Sequence, residues 1–242
     1  MKIITIASLK GGVGKTAITI FLAQAISSNA TRKRVLCVDL DHNNNLTDYM
    51  LRHTAIDELE ERNVYHVLNG TASAKDCVYA TEFGCDVLPC TIQLNKIGNE
   101  LARDPGSLLR FGPQLKQMNY DFILIDTPPS LSYELSAGLY AATLVLSPVA
   151  YSRWTAQGYG LLSDEITGIA EAIGKKPDIL AVPALVTASQ AERLKLTKFA
   201  RFSKAIIHKS AAIKNACDRA KAIKIDSKSF GQFAALAREV LR

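Results

Sequence analysis

The sequence predicts a doubly wound α/β fold, a single mostly parallel sheet with helices on both faces. Two observations carry that prediction. Short continuous Val/Ile/Leu runs alternate with helix-period segments along nearly all of the 242 residues, as strands buried on both faces do. The first run, KIITIAS at 2–8, leads through a glycine-rich turn into a helix-like stretch, a strand–loop–helix unit at the head of the chain.

Taken in order, strands are expected at Lys2–Ser8, Arg34–Asp39, Asp86–Leu88, Phe122–Asp126, Thr143–Pro148 and Ile179–Val186, with a shorter one near Ala205–Ile207. Amphipathic stretches lie between them at Ala17–Ser28, Leu135–Ala142, Ala156–Ile173 and Gln190–Phe202, and a last helix is expected at Ser229–Leu241. Residues 52–84 fit this alternation least well and read as an excursion with a helix near Val64–Leu68. No repeat, low-complexity tract or linker divides the chain. The expectation is one domain over 1–242 with a basic helical region at 190–242.

Composition bounds the function classes. The chain is 48% hydrophobic, enough for a substantial core. It has no run near the ~20 apolar residues of a membrane span. The opening strand lacks the apolar region of a signal peptide, so a cytoplasmic protein is expected. Five cysteines, Cys37, Cys77, Cys85, Cys90 and Cys217, without a C-x-x-C, point to buried or incidental thiols rather than a disulfide framework or zinc site. Residues 1–189 hold 16 Lys+Arg and 19 Asp+Glu, whereas 190–242 hold 13 and 4. The basic excess therefore sits in the last quarter, as a patch for nucleic acid or an anionic surface would.

The glycine-rich turn is SLKGGVGKTA, 8–17. Gly11, Gly12 and Gly14 let backbone N–H groups turn inward around a phosphate, and the helix after them directs its N-terminus at the same anion. Lys15 is placed to reach the β- and γ-phosphates, and the Thr16 hydroxyl to hold Mg²⁺. Leu9 stands where the common phosphate-loop pattern has its first glycine, and a second lysine, Lys10, precedes the loop. Two acidic strand ends complete the set. Asp126 closes FILID at the sheet edge where α/β ligands bind, and can orient Mg²⁺ through water. In VLCVDLD, Asp39 and Asp41 alternate onto one side, and either can align the attacking water. His42 and Asn43–Asn45 follow as a turn-prone, switch-like loop. No N-K-x-D follows Asp126 to read guanine, so the expected nucleotide is ATP.

Three segments, KGGVGKT at 10–16, VDLD at 38–41 with Asn45 and Thr47, and YDFILIDTPPS at 120–130, together resemble the ParA/MinD group of deviant Walker A ATPases, and within it ParA/Soj-type partition ATPases. The resemblance runs nearly end to end. It implies that Lys10 is the signature lysine, reaching across a homodimer interface to the partner's ATP. It further implies ATP contacts from Lys10, Gly11, Gly12, Val13, Gly14, Lys15, Thr16 and Ala17. Thr16, Asp41 and Asp126 would then surround Mg²⁺, with Asp41 as the water-activating acid and Asp126 as the Walker B acid. Departures are His42-Asn43-Asn44 for the usual Pro-Gln-Gly, Ala17 for a hydroxyl residue, and Thr143 for a frequent aspartate.

The same resemblance implies non-specific binding of double-stranded DNA by the ATP dimer, through Arg193, Lys198, Lys209, Lys214 and Lys224. It also implies slow hydrolysis stimulated by a ParB-like adaptor, and nucleoid association of the ATP form. Lysine suits such a role as a point charge on phosphate. A motif starting at residue 8 leaves no room for a preceding helix-turn-helix, so operator binding is not expected. A MinD-like membrane cycle would need an amphipathic helix beyond Leu241, and none is expected after Arg242. A nitrogenase-iron-protein or iron–sulfur-carrier role lacks its cysteine pattern. A positioning ATPase for another cargo, such as a chemosensory cluster, a carboxysome or a flagellum, would share the same switch.

Overall fold

The structure is a computed structural model, and it describes residues 1–28, 33–104 and 106–241. Its first half runs β1 (Lys2–Ile6), α1 (Lys15–Ser27), β2 (Val35–Asp39), α2 (Asn45–Met50), α3 (Ile56–Glu61), α4 (Val64–Leu68), β3 (Tyr79–Ala80), β4 (Asp86–Leu88), α5 (Ile97–Glu100) and α6 (Ser107–Lys116). The second half runs β5 (Phe122–Asp126), α7 (Tyr133–Ala141), β6 (Leu144–Val149), α8 (Thr155–Ile173), β7 (Asp178–Val186), α9 (Ala188–Leu196), β8 (Ile207–His208), α10 (Ala211–Asp218) and α11 (Lys228–Val240).

The strands form one eight-stranded sheet in the order β3-β4-β2-β5-β1-β6-β7-β8. Every pairing is parallel except β3 with β4. The short antiparallel β3 belongs to the 52–84 excursion, which also holds α3, α4 and a 3₁₀ turn at Ala74–Cys77.

Alternation along β1 sorts the core into layers. Ile4 and Ile6 face α1, α2, α10 and α11, while Ile3 faces α4 to α7. α1 is buried almost all round, from Ile18 to Ile26, because α11 covers the side that the sheet leaves open. Phe21 of α1 lies 5.3 Å from Phe233 of α11, ring to ring. The apolar side of α11 is thereby spent inside the core. No helix among the described residues is long and apolar enough to cross a membrane.

The segment expected as one helix at 190–202 departs from that expectation. α9 begins at a capping box, with Thr187 and Gln190 exchanging hydrogen bonds, and ends at Leu196. Lys198 then turns left-handed, at φ 53°. The chain continues as an extended stretch in which Phe202 bridges to Ala181 of β7, and Phe199 packs edge-on to Tyr159 at 5.4 Å. Two aromatics seeking the same apolar layer as Tyr159 outweigh local helix propensity. β8, Ile207–His208, starts two residues and ends one residue further on than the expected strand. The basic last quarter is therefore helical with a strand inside it, and Arg242 lies outside the described residues.

Thr143 has a structural use. Its hydroxyl donates to Ile3 O at 2.8 Å and accepts from Ile3 N at 3.0 Å, tying the entry of β6 to central β1.

Candidate functional site

Strand register brings the chemistry together. Asp126 pairs with Ile6 on one side and Asp39 on the other, so the ends of β1, β5 and β2 lie level at one sheet edge. Residues following those strands must converge there.

The loop after β1 reaches α1 through Gly12 and Gly14, at φ 70° and 91°. Gly14 occupies the helix N-cap position in the left-handed conformation and offers no side-chain cap. The first N–H groups of α1 are left to an anion in the cleft. Leu185 of β7 crowds this point: a Cβ on Gly14 would come within 3.4 Å of it. Leu185 is itself left-handed, at φ 55°, beside a register shift between Ala184 and Val186.

Lys15 is only 7% exposed. Burial lowers its pKa, and the carboxylates of Asp126 and Asp41 partly oppose that shift. Thr16 Oγ1 donates to Asp126 Oδ2 at 2.6 Å, and Thr19 Oγ1 approaches Asp126 Oδ1 at 3.4 Å. Burial first, and then the neighbouring Asp39 charge, push the Asp126 carboxyl up to about 8. The nearby Lys15 ammonium and the Thr16 hydroxyl oppose that shift without cancelling it.

Asp39 and Asp41 separate into two roles. Asp39 is fully buried and saturated, accepting from Asp41 N at 3.1 Å, Thr47 N at 2.9 Å and Thr47 Oγ1 at 2.8 Å. Burial holds its pKa at about 6. Thr47 Oγ1 also accepts from Cys90 N at 2.9 Å, anchoring α2 to the loop after β4. Asp39 thus positions the segment that carries Asp41. Asp41 itself lines the cleft, with Oδ1 accepting from Asn43 N at 3.0 Å and Asn43 Nδ2 at 2.8 Å. Asn44 is left-handed at φ 57°, and Asn is among the few non-glycine residues that tolerate this. It therefore stands in for the glycine of the usual Pro-Gln-Gly.

The cleft holds about 590 Å³ and is lined by Gly11, Gly12, Gly14 to Ala17, Asp41 and Asn43, with Tyr49 on α2 and Arg52 just beyond its end. Leu185, Cys217 and Asp218 form another wall. Those three were not legible as site residues, because no motif links β7 and α10 to the loop. Val13 is buried beneath the loop rather than lining the cleft. A larger cavity, about 1100 Å³, opens at the opposite strand ends among Arg34, Asp86 and Tyr120. It has neither the glycine loop nor the strand-end acids, so the smaller cleft is the functional candidate.

Lys10 is exposed and absent from the lining of that cleft. It borders instead a separate small cavity with Trp154. Arg193, Lys198, Lys209, Lys214 and Lys224 are all exposed, respectively on α9, just beyond it, just after β8, on α10 and ahead of α11. α10 links the two areas, since Lys214 lies on it and Cys217 and Asp218 at its end wall the cleft. All five cysteines are free thiols, four of them buried.

The residues present fit a nucleotide with a divalent cation. Among the described residues no three or more His, Cys, Asp or Glu side chains are grouped to hold a metal unaided. A cation here would rely on the Thr16 hydroxyl, phosphate oxygens and water held by Asp126, as Mg²⁺ commonly does.

The chain is similar to known proteins in sequence and in fold. A family described as AAA domain matches residues 1–179. The chain is 34% identical over 169 residues to the sporulation initiation inhibitor protein Soj of Bacillus subtilis, covering 68% of this chain and 64% of that protein. It is 37% identical to the chromosome-partitioning ATPase Soj of Thermus thermophilus, covering 66% and 59% respectively. The match thus spans less than two thirds of either relative's length. A plasmid partition protein of Borrelia burgdorferi, solved with AMPPNP, superposes with a TM-score of 0.84 at 21% identity, covering 99% and 98% of the two chains. Cobyrinic acid a,c-diamide synthase of Mycobacterium smegmatis, with an ATP analogue and magnesium, superposes at 0.80 with 23% identity, covering 100% and 95%. At those identities the structures establish the fold. The chain belongs to the AAA-domain family and is of the ParA/Soj type.

Proposed function

We propose, taking that membership as the premise, that the protein is an ATP-dependent switch of plasmid or chromosome partition. ATP and Mg²⁺ bind at the phosphate loop, two copies close over their nucleotides, and the homodimer binds double-stranded DNA without sequence preference. A ParB-like adaptor stimulates a slow ATP hydrolysis that releases the dimer. The protein works in the cytoplasm, on the nucleoid when ATP is bound, and takes no membrane.

The observation that carries the reading is the placement of Lys10. Lys15 already occupies the cleft beside Asp126 and Asp41, whereas Lys10 points its charge outside its own cleft. A lysine so placed can neutralise phosphates that a facing subunit brings close.

Each residue then has a task. The N–H groups at the start of α1 and the Lys15 ammonium bind the phosphates, and Thr16 orients the cation side. Mg²⁺, held by Thr16 and by water on Asp126, would add positive charge to that of Lys15 and offset the crowding of Asp126, Asp39 and Asp41. Asp41, held by Asn43 and by the Asp39–Thr47 anchor, aligns water for attack on the γ-phosphorus. The basic excess of 190–242 supports contact with DNA phosphates.

Nucleotide affinity and sedimentation of two variants test the reading. Lys15→Ala is expected to lose at least about a hundredfold in ATP affinity, from loss of a buried charged contact. Lys10→Ala is expected to bind ATP within about threefold of wild type yet remain monomeric. A Lys10→Ala protein that dimerises normally on ATP would remove the main support.

A further inference from the structure

Two walls of the nucleotide cleft come from distant parts of the chain, and one hydroxyl joins them. α2 follows the loop in which Asn43 donates to Asp41 and Asn44 turns left-handed. The end of α10 supplies Cys217 and Asp218, and just beyond it the chain turns through Ala220, left-handed at φ 46°. Lys221 closes that turn, its N–H donating to Ala216 O at 3.0 Å. From the other wall, the Tyr49 hydroxyl of α2 donates to Lys221 O at 2.8 Å. Among the described residues this is the one hydrogen bond between residues 41–52 and 190–241.

The hydroxyl is held for that contact. Tyr49 is 3% exposed, with its ring edge-on to Phe21 of α1 at 6.1 Å and tilted over Phe83 at 4.8 Å. Gln24 Nε2 donates to the same hydroxyl at 3.3 Å, leaving its proton for Lys221 O. Burial raises the Tyr49 pKa above the ordinary phenol value, so the donor stays protonated. Ring packing has no preferred direction, whereas a hydrogen bond fixes one atom against another. The atom fixed here lies inside the basic region, where Lys214, Arg219, Lys221 and Lys224 are exposed along 214–224.

We infer that Tyr49 is a positioning residue for DNA binding: its hydroxyl ties α2, which answers to nucleotide, to the turn that sets Lys214, Arg219, Lys221 and Lys224. A γ-phosphate beside Lys15 is a like charge close to Asp41, so its arrival and loss rearrange the Asn43–Asn44 loop from which α2 starts. α2 is pinned at Thr47 to Asp39 of β2, and a shift of its first residues swings Tyr49 on that pin. The turn at Lys221 follows through the hydrogen bond. The inference rests on the nucleotide-controlled DNA binding proposed above and names the contact that carries the control.

Affinity of the full chain for a random-sequence duplex, with saturating AMPPNP–Mg²⁺ and with saturating ADP–Mg²⁺, tests it. Tyr49→Phe keeps the ring and removes the hydroxyl. It is expected to lower the AMPPNP-to-ADP ratio of DNA affinity about three- to tenfold, the range of one hydrogen bond. Tyr120→Phe removes a hydroxyl bound to Asp86 Oδ2 at 2.7 Å at the opposite strand ends, and is expected to leave the ratio unchanged. In wild type, amide hydrogen exchange over 219–224 is expected to differ between the two nucleotides, and in Tyr49→Phe to be the same in both. A wild-type protein that binds DNA equally in both states overturns the proposed switch and the inference together. A nucleotide-dependent wild type matched by Tyr49→Phe, or a Tyr120→Phe ratio that falls as far, overturns the inference alone. Sedimentation with AMPPNP adds one more check, since a Tyr49→Phe protein that stays monomeric would assign the residue to dimer closure and overturn the inference.

Discussion

The nucleotide edge and the basic last quarter are built on opposite terms. At the edge, Thr16 is hydrogen-bonded to Asp126, Thr47 is hydrogen-bonded to both Asp39 and Cys90, and most of these residues are buried. In the last quarter, Arg193, Lys198, Lys209, Lys214 and Lys224 stand exposed. The first arrangement tolerates little change because each polar group would be left unsatisfied if its partner moved. The second needs only charge in roughly the right place, since a phosphate backbone is read by its field. Single substitutions are therefore expected to act steeply at the edge and gradually in the basic quarter.

The steepest test within that contrast is Asp41→Ala. Loss of the residue that aligns water is expected to cut ATP turnover by about a hundredfold or more and to leave an ATP-bound dimer that persists in sedimentation. Normal turnover would reassign the task away from Asp41. Charge reversal in the basic quarter comes next. Arg193→Glu with Lys209→Glu is expected to weaken DNA binding at least about tenfold and to flatten its salt dependence, with ATP-driven dimerisation intact. Either single reversal is expected to have a partial effect, and complete loss from one alone would contradict the gradual picture.

The smallest expected effect is on stability against pH. The carboxyls of Asp126 and Asp39, ordinarily near 3.8, are raised to about 8 and about 6. Between roughly pH 4 and 8 the native state therefore holds protons that the unfolded chain has released. Stability of the nucleotide-free protein is expected to fall as pH rises through that window. Asp126→Asn is expected to flatten the fall, and ATP with Mg²⁺ to offset it. Melting temperatures at pH 5.5, 7 and 8.5 check this, and identical slopes in wild type and Asp126→Asn would contradict it.

The same contrast explains what could be read from the sequence. The strand–glycine–Lys-Thr–helix unit and the acids at strand ends were legible because parallel register carries successive strand ends to one edge. The division of labour between Asp39 and Asp41 was not readable from alternation, which places both on one side, and only the family resemblance singled out Asp41. It took Thr47, eight residues away, to saturate Asp39. Leu185, Cys217 and Asp218 enter the cleft through tertiary packing alone, without a local pattern. The early end of α9 at Leu196 hid behind a favourable helical periodicity that Phe199 and Phe202 override. In the basic quarter the sequence conveyed an amount of charge and a short strand near Ala205–Ile207, found at Ile207–His208, but not how the charge is distributed.

The central claim is that nucleotide controls a DNA-binding surface. It is tested most directly by binding to a random-sequence duplex without nucleotide, with ADP and with ATP–Mg²⁺, at two salt concentrations. The account predicts binding with ATP–Mg²⁺ alone, falling steeply as salt rises. Equal binding in all three states, or none from a protein that still dimerises on ATP, would contradict it.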